Sequence, residues 1–173
     1  SPGLQAAAAD GRPIFAVCAG MQVLGHSFYA HGTEAQGISL LDVSTQPLPS
    51  RAIGEVAARP TRAGVTSALT EPLTGFENHM GATALGPDAE ALGKVTRGTG
   101  NGAGGSSAAA SSDTAVEGVV QGSIIATYMH GPALARNPQL ADLLLAQALG
   151  VRLEDLEPLE IPVIDRLRME RLS

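Results

Sequence analysis

The 173-residue sequence predicts an α/β fold. Short apolar runs bounded by turn residues alternate with segments of helical periodicity. Gly (21 residues) and Ala are plentiful while aromatics make up only 3%, a composition that suits α/β packing. A strand-like run also turns directly into a helical pattern at the only cysteine, within "PIFAVCAGMQVLG" (Pro13 to Gly25). With 44% hydrophobic residues the chain is long enough for one domain with a real core.

Each element follows from local pattern. Leu4 to Ala9 reads as the end of a helix, stopped by Asp10-Gly11. Ile14 to Val17 is short and wholly apolar, like a strand buried on both faces. Met21, Leu24 and Phe28 recur at helical spacing and predict a helix over Gly20 to Tyr29. Strands are expected at Gly37 to Val43, Leu92 to Arg97, Ala115 to Val120 and Ser123 to Tyr128, with extended chain at Arg51 to Arg59 and Gly75 to His79. Asn137 to Leu149 is a helix with Leu140, Leu143, Leu144 and Ala148 on one face, ended by Gly150. Residues 98–113, "GTGNGAGGSSAAASSD", lack apolar bulk to offset ordering entropy and read as a flexible surface loop inside one domain. A charged, helical tail follows at about 160–173.

Charge and composition exclude several classes. Net charge is −6 and no basic run exceeds two residues, which argues against nucleic-acid binding. No apolar stretch approaches the ~18 residues of a membrane span, so no transmembrane segment is expected. A single cysteine cannot form an internal disulfide, which makes the reducing cytoplasm the expected compartment.

The lone cysteine, Cys18, stands at a strand-to-helix switch followed by the small residues Ala19 and Gly20. That is the layout of a nucleophile elbow, where small neighbours let the backbone bend and the substrate approach. The N-terminus of the following helix favours thiolate. On these residues alone a buried, unreactive thiol fits as well. A nucleophilic Cys needs a base. Of four histidines, His26 and His31 fall on the helix after Cys18 and point away from it. His130 ends the run "SIIATYM" just before Gly131-Pro132, beyond a strand end where ligands gather in open sheets. His79 closes "GFENH" at another strand end and is its rival.

"CAGMQ" (Cys18 to Gln22) resembles the C-x-G-x-Q nucleophile motif of class I, triad-type glutamine amidotransferases. "TYMHGP" (Thr127 to Pro132) resembles the histidine motif of their cobyric-acid-synthase-like branch. "GFENH", "GTGNG", "ARNPQLADLLL" and "VIDR" (Val163 to Arg166) resemble the GatD-type glutaminase subunits of lipid II isoglutaminyl synthases. The match runs in order from about Leu4 to Leu145. It implies a flavodoxin-like three-layer sandwich with a mostly parallel central sheet, here as a single domain over residues 1–173 without the N-terminal strands.

The resemblance also implies roles. Cys18 is the expected nucleophile and His130 its base. Gln22 and Arg51 are expected to hold glutamine, Arg51 by clamping the α-carboxylate as a planar fork. The N–H of Ala19 is an expected oxyanion donor, with Gly20, Asn78 and His79 shaping the site. A role for the "FENH" residues does not follow from the sequence. The family reaction hydrolyses L-glutamine and passes ammonia to a Mur-ligase-like synthetase that amidates the D-glutamate of lipid II. No cofactor is expected on this chain, and ATP and Mg are expected on the partner synthetase.

Three departures stand out. Common class I enzymes carry a Glu two residues after the His, where this chain has Pro132; the branch resembled here also lacks it, which implies a third triad carboxylate from the partner. Ala82 replaces a family arginine after "GFENH". The expected glycine-rich loop that supplies a second oxyanion donor is not in this sequence, which makes an inactive chain an expectation too. Two other readings stay open: the glutaminase portion of a cobyric acid synthase-like cobalamin enzyme, and a non-catalytic scaffold of the same fold.

Overall fold

The computed structural model describes residues 2–102, 115–157, 159 and 161–172. Among them the expected helix α1 spans Pro2–Ala9, and Gly11, at φ +70°, lets the chain turn back into strand β1, Ile14–Val17. Cys18 links β1 to helix α2, Ala19–Leu24. Strands β2 (Ser27–Ala30) and β3 (Thr33–Gln36) form a hairpin. The long strand β4, Val43–Pro60, pairs with β5, Leu73–Leu85, and with β6, Gly93–Arg97. Strands β7 (Val116–Glu117), β8 (Val119–Gln121) and β9 (Ile124–Thr127) follow. Helices α3 (Ala133–Arg136), α4 (Pro138–Leu149) and α5 (Pro162–Leu172) close the chain.

The fold is α/β as expected, but its sheets are mixed rather than mostly parallel. A three-stranded sheet has the order β1-β9-β8, and a larger one runs β3-β2-β4-β6-β7 with β5 paired to β4. Only β1–β9 and β2–β4 pair in parallel among the described residues. Two of the antiparallel pairs, β2–β3 and β8–β9, are joined by two-residue turns, which can only reverse a strand. The parallel pair that matters is β1–β9, in register from Ile14↔Ile124 to Val17↔Thr127.

The small sheet is buried on both faces, which explains its unbroken apolar runs. Ile125 and Met129 face a core built with Leu73, Leu92, Leu140 and Leu143. Ile124, Ala126 and Tyr128 face another, with Met21, Leu24, Leu41 and Val43. Each fully buried aliphatic side chain contributes about 1.5–3 kcal/mol, so both faces hold the sheet in place.

Three sequence expectations are corrected. The helix after Cys18 ends at Leu24, not Tyr29, and Phe28 and Tyr29 lie in β2. Backbone pairing of Phe28 with Ala35 and Tyr29 with Glu34 overrides the helical spacing. Most of the segment from Gly37 is not a strand, because its N–H groups cap α2: Ile38 donates to Val23 O, and Leu40 and Leu41 donate to Leu24 O. On α4, Leu140 and Leu143 are buried and Leu144 packs against them, but Ala148 is exposed and Ala146 takes the inward place. Gly150 ends that helix in the left-handed conformation, φ +68°.

The low-complexity segment begins later than the sequence suggests. Asn101 is fully buried; its amide donates to Gly118 O (2.9 Å) and its Oδ1 accepts from Gly118 N (2.8 Å). Residues 98–102 therefore belong to the folded body, while residues 103–113 lie outside the described residues.

Candidate functional site

Cys18 sits where β1 hands over to α2, with φ +52° and ψ −111°. A non-glycine residue in that region costs of order 1–3 kcal/mol and persists only when its surroundings fix it. The fixing contacts are on both sides. Cys18 N–H donates to Thr127 O (2.8 Å), extending the β1–β9 ladder by one residue. Cys18 O accepts from Gln22 N (3.3 Å), opening α2. The bend thrusts the side chain out of the sheet edge, half-buried.

Electrostatically the thiol differs from the simple helix-terminus expectation. Burial pushes its pKa up, and the Ala19 N–H and the Arg51 guanidinium only partly offset that. Helix α2 has six residues, too few for a strong dipole. The resting group is a thiol that needs a base.

Cys18 opens onto a cleft of about 330 Å³ lined also by Gln22, Tyr29, His31, Thr45 and His79. That volume suits a small metabolite. A polar chain crosses its floor: Gln22 Nε2 donates to Tyr128 Oη (3.1 Å), which bonds Thr83 Oγ1 (2.7 Å), which bonds Thr45 Oγ1 (2.9 Å). Gly81 leaves room for this chain. A Cβ there would lie 2.4 Å from both Gln22 Nε2 and Tyr128 Oη.

Strand β5 explains the "FENH" residues by its period of two. Glu77 and His79 point inward and are buried, while Phe76, Asn78 and Met80 are exposed. Glu77 accepts from Thr99 N (2.6 Å) and Gly100 N (2.8 Å), so it fastens the "GTGNG" turn to the strand. His79 stacks on Tyr128, ring centroids 3.7 Å apart. Asn78 Oδ1, on the other face, accepts from Arg51 Nη1 (2.6 Å). Arg51 is itself exposed, at the irregular stretch of β4 between Pro47 and Ala52.

His130 lies three residues past the end of β9, at the same edge of the sheet as Cys18. Its N–H donates to Phe76 O (2.7 Å), which ties it to β5. Burial and the neighbouring His79 push its pKa down, which favours the neutral imidazole a base requires. Its Nε2 is shielded from solvent and has no hydrogen-bond partner among the described residues. His130 is not among the residues lining the cleft. The structure thus gathers Cys18, Gln22 and His79 around one cavity, sets Arg51 within electrostatic reach of the thiol, and places His130 at the adjacent strand end.

A model of the CobB/CobQ-like glutamine amidotransferase domain matches residues 1–138. The chain belongs to that family. Among curated relatives, it is 33% identical over 159 residues to the lipid II isoglutaminyl synthase (glutamine-hydrolyzing) subunit GatD of Staphylococcus aureus, covering 91% of this chain and 58% of that protein. It is 32% identical to the subunit of the same name from Streptococcus pneumoniae, covering 79% of this chain and 47% of that protein. A cobyric acid synthase of Sphingopyxis alaskensis is 31% identical, with 78% of this chain and 24% of that protein covered. The chain thus spans 58% or less of the length of each of these curated relatives.

Around the cleft of this amidotransferase domain the sequence left several structural contacts unread. Tyr128, inside the histidine motif, carries the cleft-floor network, and Glu117 supports it from behind. Glu117 Oε1 accepts from Thr127 Oγ1 and from Tyr128 N, both at 2.7 Å, and the residue is fully buried. Neither position has a local signal, since both act across the sheet. His31 was expected to point away on a helix; it instead lies in the β2–β3 turn at φ +53° and lines the cleft. His26 is exposed, as expected, and pairs with Asp42 (3.0 Å). Ala82 pairs in register with Gln46 on β4, beside Gly81, and offers no anion contact there. Pro132 caps the start of α3, so no carboxylate stands two residues after His130.

Proposed function

We propose that the chain carries the glutamine-hydrolysing site of an amidotransferase, with Cys18 as nucleophile and His130 as base. The observation that carries this reading is the strained backbone of Cys18 at the strand-to-helix bend, opening onto a small-molecule cleft. A thiol held up in pKa and an imidazole held down, at neighbouring strand ends, suit a proton transfer at the moment of attack. The Cys18 sulfur bonds to the side-chain amide carbon of glutamine as His130 takes the thiol proton. The Ala19 N–H, which faces the sulfur at rest, stabilises the tetrahedral oxyanion. The C–N bond then breaks; His130 returns its proton to the departing ammonia and a γ-glutamyl thioester remains. Water attacks the thioester, giving its proton to His130. The C–S bond breaks, glutamate leaves, and the thiol is restored.

In this reading Gln22 orients the amide, held by Tyr128, and Arg51 binds the α-carboxylate from the cleft rim, held by Asn78. The names of the GatD relatives, glutamine-hydrolysing subunits of a lipid II isoglutaminyl synthase, support a role in amidating lipid II; ammonia transfer in the cytoplasm to a partner synthetase that uses ATP and Mg belongs to the same proposal. A triad completed by a carboxylate of the partner belongs to this reading, since Pro132 stands where a local carboxylate would be. Labelling tests the reading: a diazo-ketone analogue of glutamine should modify Cys18 in the full-length protein. Cys18→Ser should abolish ammonia release without unfolding. Ammonia release by the folded serine variant would refute it. The likeness to cobyric acid synthases favours a second acceptor, a corrinoid carboxylate, and an assay of both acceptors decides between them.

A further inference from the structure

Two residues of the "ARNPQLADLLL" segment, Arg136 and Asn137, are buried and take no part in the hydrolysis scheme. Arg136 Nη2 donates to Glu55 Oε2 on β4 (2.6 Å) and to Thr74 Oγ1 on β5 (2.7 Å). Asn137 bonds the backbone N–H and carbonyl of the same Thr74. These contacts fall on the stretch of the β4–β5 ladder that also holds His130. Glu55 is the register partner of Phe76, and Thr74 stands two residues before Phe76 on β5. Phe76 O accepts the His130 N–H (2.7 Å), and the two residues form an antiparallel bridge. The chain from His130 to Arg136 is therefore fastened at both ends to one short piece of the ladder. A ring closes from His130 to Phe76, across to Glu55, and back through Arg136. Between the two anchors the chain is tightly wound: Ala133 N–H donates to Gly131 O and Arg136 N–H to Pro132 O, both at 2.8 Å.

We propose that Arg136 is a positioning residue for His130: its bridge from Glu55 to Thr74 holds the His130–Arg136 segment against β5 and so fixes where the base stands. This deepens the glutaminase reading and rests on it. His130 lies past the end of β9, and a single backbone hydrogen bond would leave it free to pivot about Phe76. The second anchor, six residues on, removes that freedom. The demand on placement is strict, because a shift of about 1 Å in a reacting group can cost ~10² in rate. Arginine suits the task, since its planar guanidinium fixes the directions of both N–H bonds, whereas the rotatable ammonium of lysine would keep the charge and lose the directions. The other carboxylate oxygen of Glu55 faces Arg171 of α5 at 3.7 Å. Glu55 therefore keeps a cation beside it when Arg136 is changed.

The test uses the full-length protein and reads kcat and KM for glutamine together with hydrogen exchange at single backbone amides. In Arg136→Gln, kcat should fall about ten- to a hundredfold while KM stays within about twofold. The His130 N–H should exchange about tenfold faster, while the amides of β9 keep their rates. Arg136→Lys should fall between the parent and Arg136→Gln on both readouts. Glu55→Gln, which keeps an acceptor for Nη2, should show a smaller change in the same direction. Unchanged kcat in a folded Arg136→Gln would overturn the proposal. So would equal acceleration of exchange at His130 and throughout β9, which a merely structural role produces. If Arg136→Gln does not fold, Arg136→Lys and Glu55→Gln decide, and parental kcat and His130 exchange in both would overturn the proposal. Absence of glutamine hydrolysis in the parent would remove the glutaminase reading and leave exchange at His130 to judge the ring by itself.

Discussion

Glu117→Gln probes the buried carboxyl behind the site. Desolvation, aided by the charge of Glu77, outweighs the hydrogen bonds from Thr127 and Tyr128 and pushes Glu117 from the ordinary 4.5 up to about 7. The folded state therefore holds this proton more tightly than the unfolded chain. The stabilisation is full below about pH 4.5 and is lost as pH rises to about 7. At ~1.36 kcal/mol per pH unit, that gap is worth about 3 kcal/mol. Glutamine keeps an acceptor for Thr127 Oγ1 and Tyr128 N and cannot ionise. Its extra amine protons add a cost that does not vary with pH. Urea unfolding of both proteins across pH 4.5 to 7.5 reads the effect. The stability of Glu117→Gln relative to the parent should rise by about 3 kcal/mol over that window, because all other titrating groups are shared. Parallel stability curves would show that Glu117 ionises normally in the folded state, and the argument from its burial would fail.

Arg51→Ala should raise KM for glutamine about ten- to a hundredfold, the worth of a charge-assisted pair, with Arg51→Lys recovering only part; an unchanged KM returns Arg51 to a surface role. Asn137→Ala strips the partners from Thr74 N, Thr74 O and Ala133 O, all held at 2.7–2.8 Å by one buried side chain. At about 1–3 kcal/mol for each group left unpaired, urea unfolding should show a loss of roughly 3 kcal/mol or more. Gly81→Ala forces its methyl group onto Gln22 and Tyr128, so glutamine turnover should fall while far-ultraviolet dichroism keeps its native shape; normal turnover would mean that the Gln22–Tyr128 contact is dispensable.

What the sequence revealed and what it hid divide along one physical line. The bend at Cys18 was legible because strand, small residues and helix lie within a dozen positions. Helix α4 was legible for the same reason, from its repeat and Gly150. The overlong helix after Cys18 failed because Phe28 fits a helical repeat as well as a strand, and only pairing with β3 decides. "FENH" carried a recognisable motif without a readable role, because Glu77 acts on a turn 22 residues away and Asn78 on a strand partner 27 residues back. The sequence places Asn137 at the start of a helix, yet its side chain bonds Thr74, 63 residues distant. Local spacing predicts local structure; a site assembled from strand ends depends on contacts that spacing does not encode.

The backbone of Cys18 has a consequence for how this protein responds to selection. Glycine enters the region near φ +52° freely, whereas cysteine there carries of order 1–3 kcal/mol of strain. Glycine's larger entropy loss on folding takes back only about 0.5–1 kcal/mol. The candidate nucleophile is thus a position where removing the reactive group relaxes the fold. A library sorted for thermal endurance alone would drift toward a glycine at this bend and yield robust, chemically silent proteins. Improving this scaffold requires a screen that scores chemistry and endurance together.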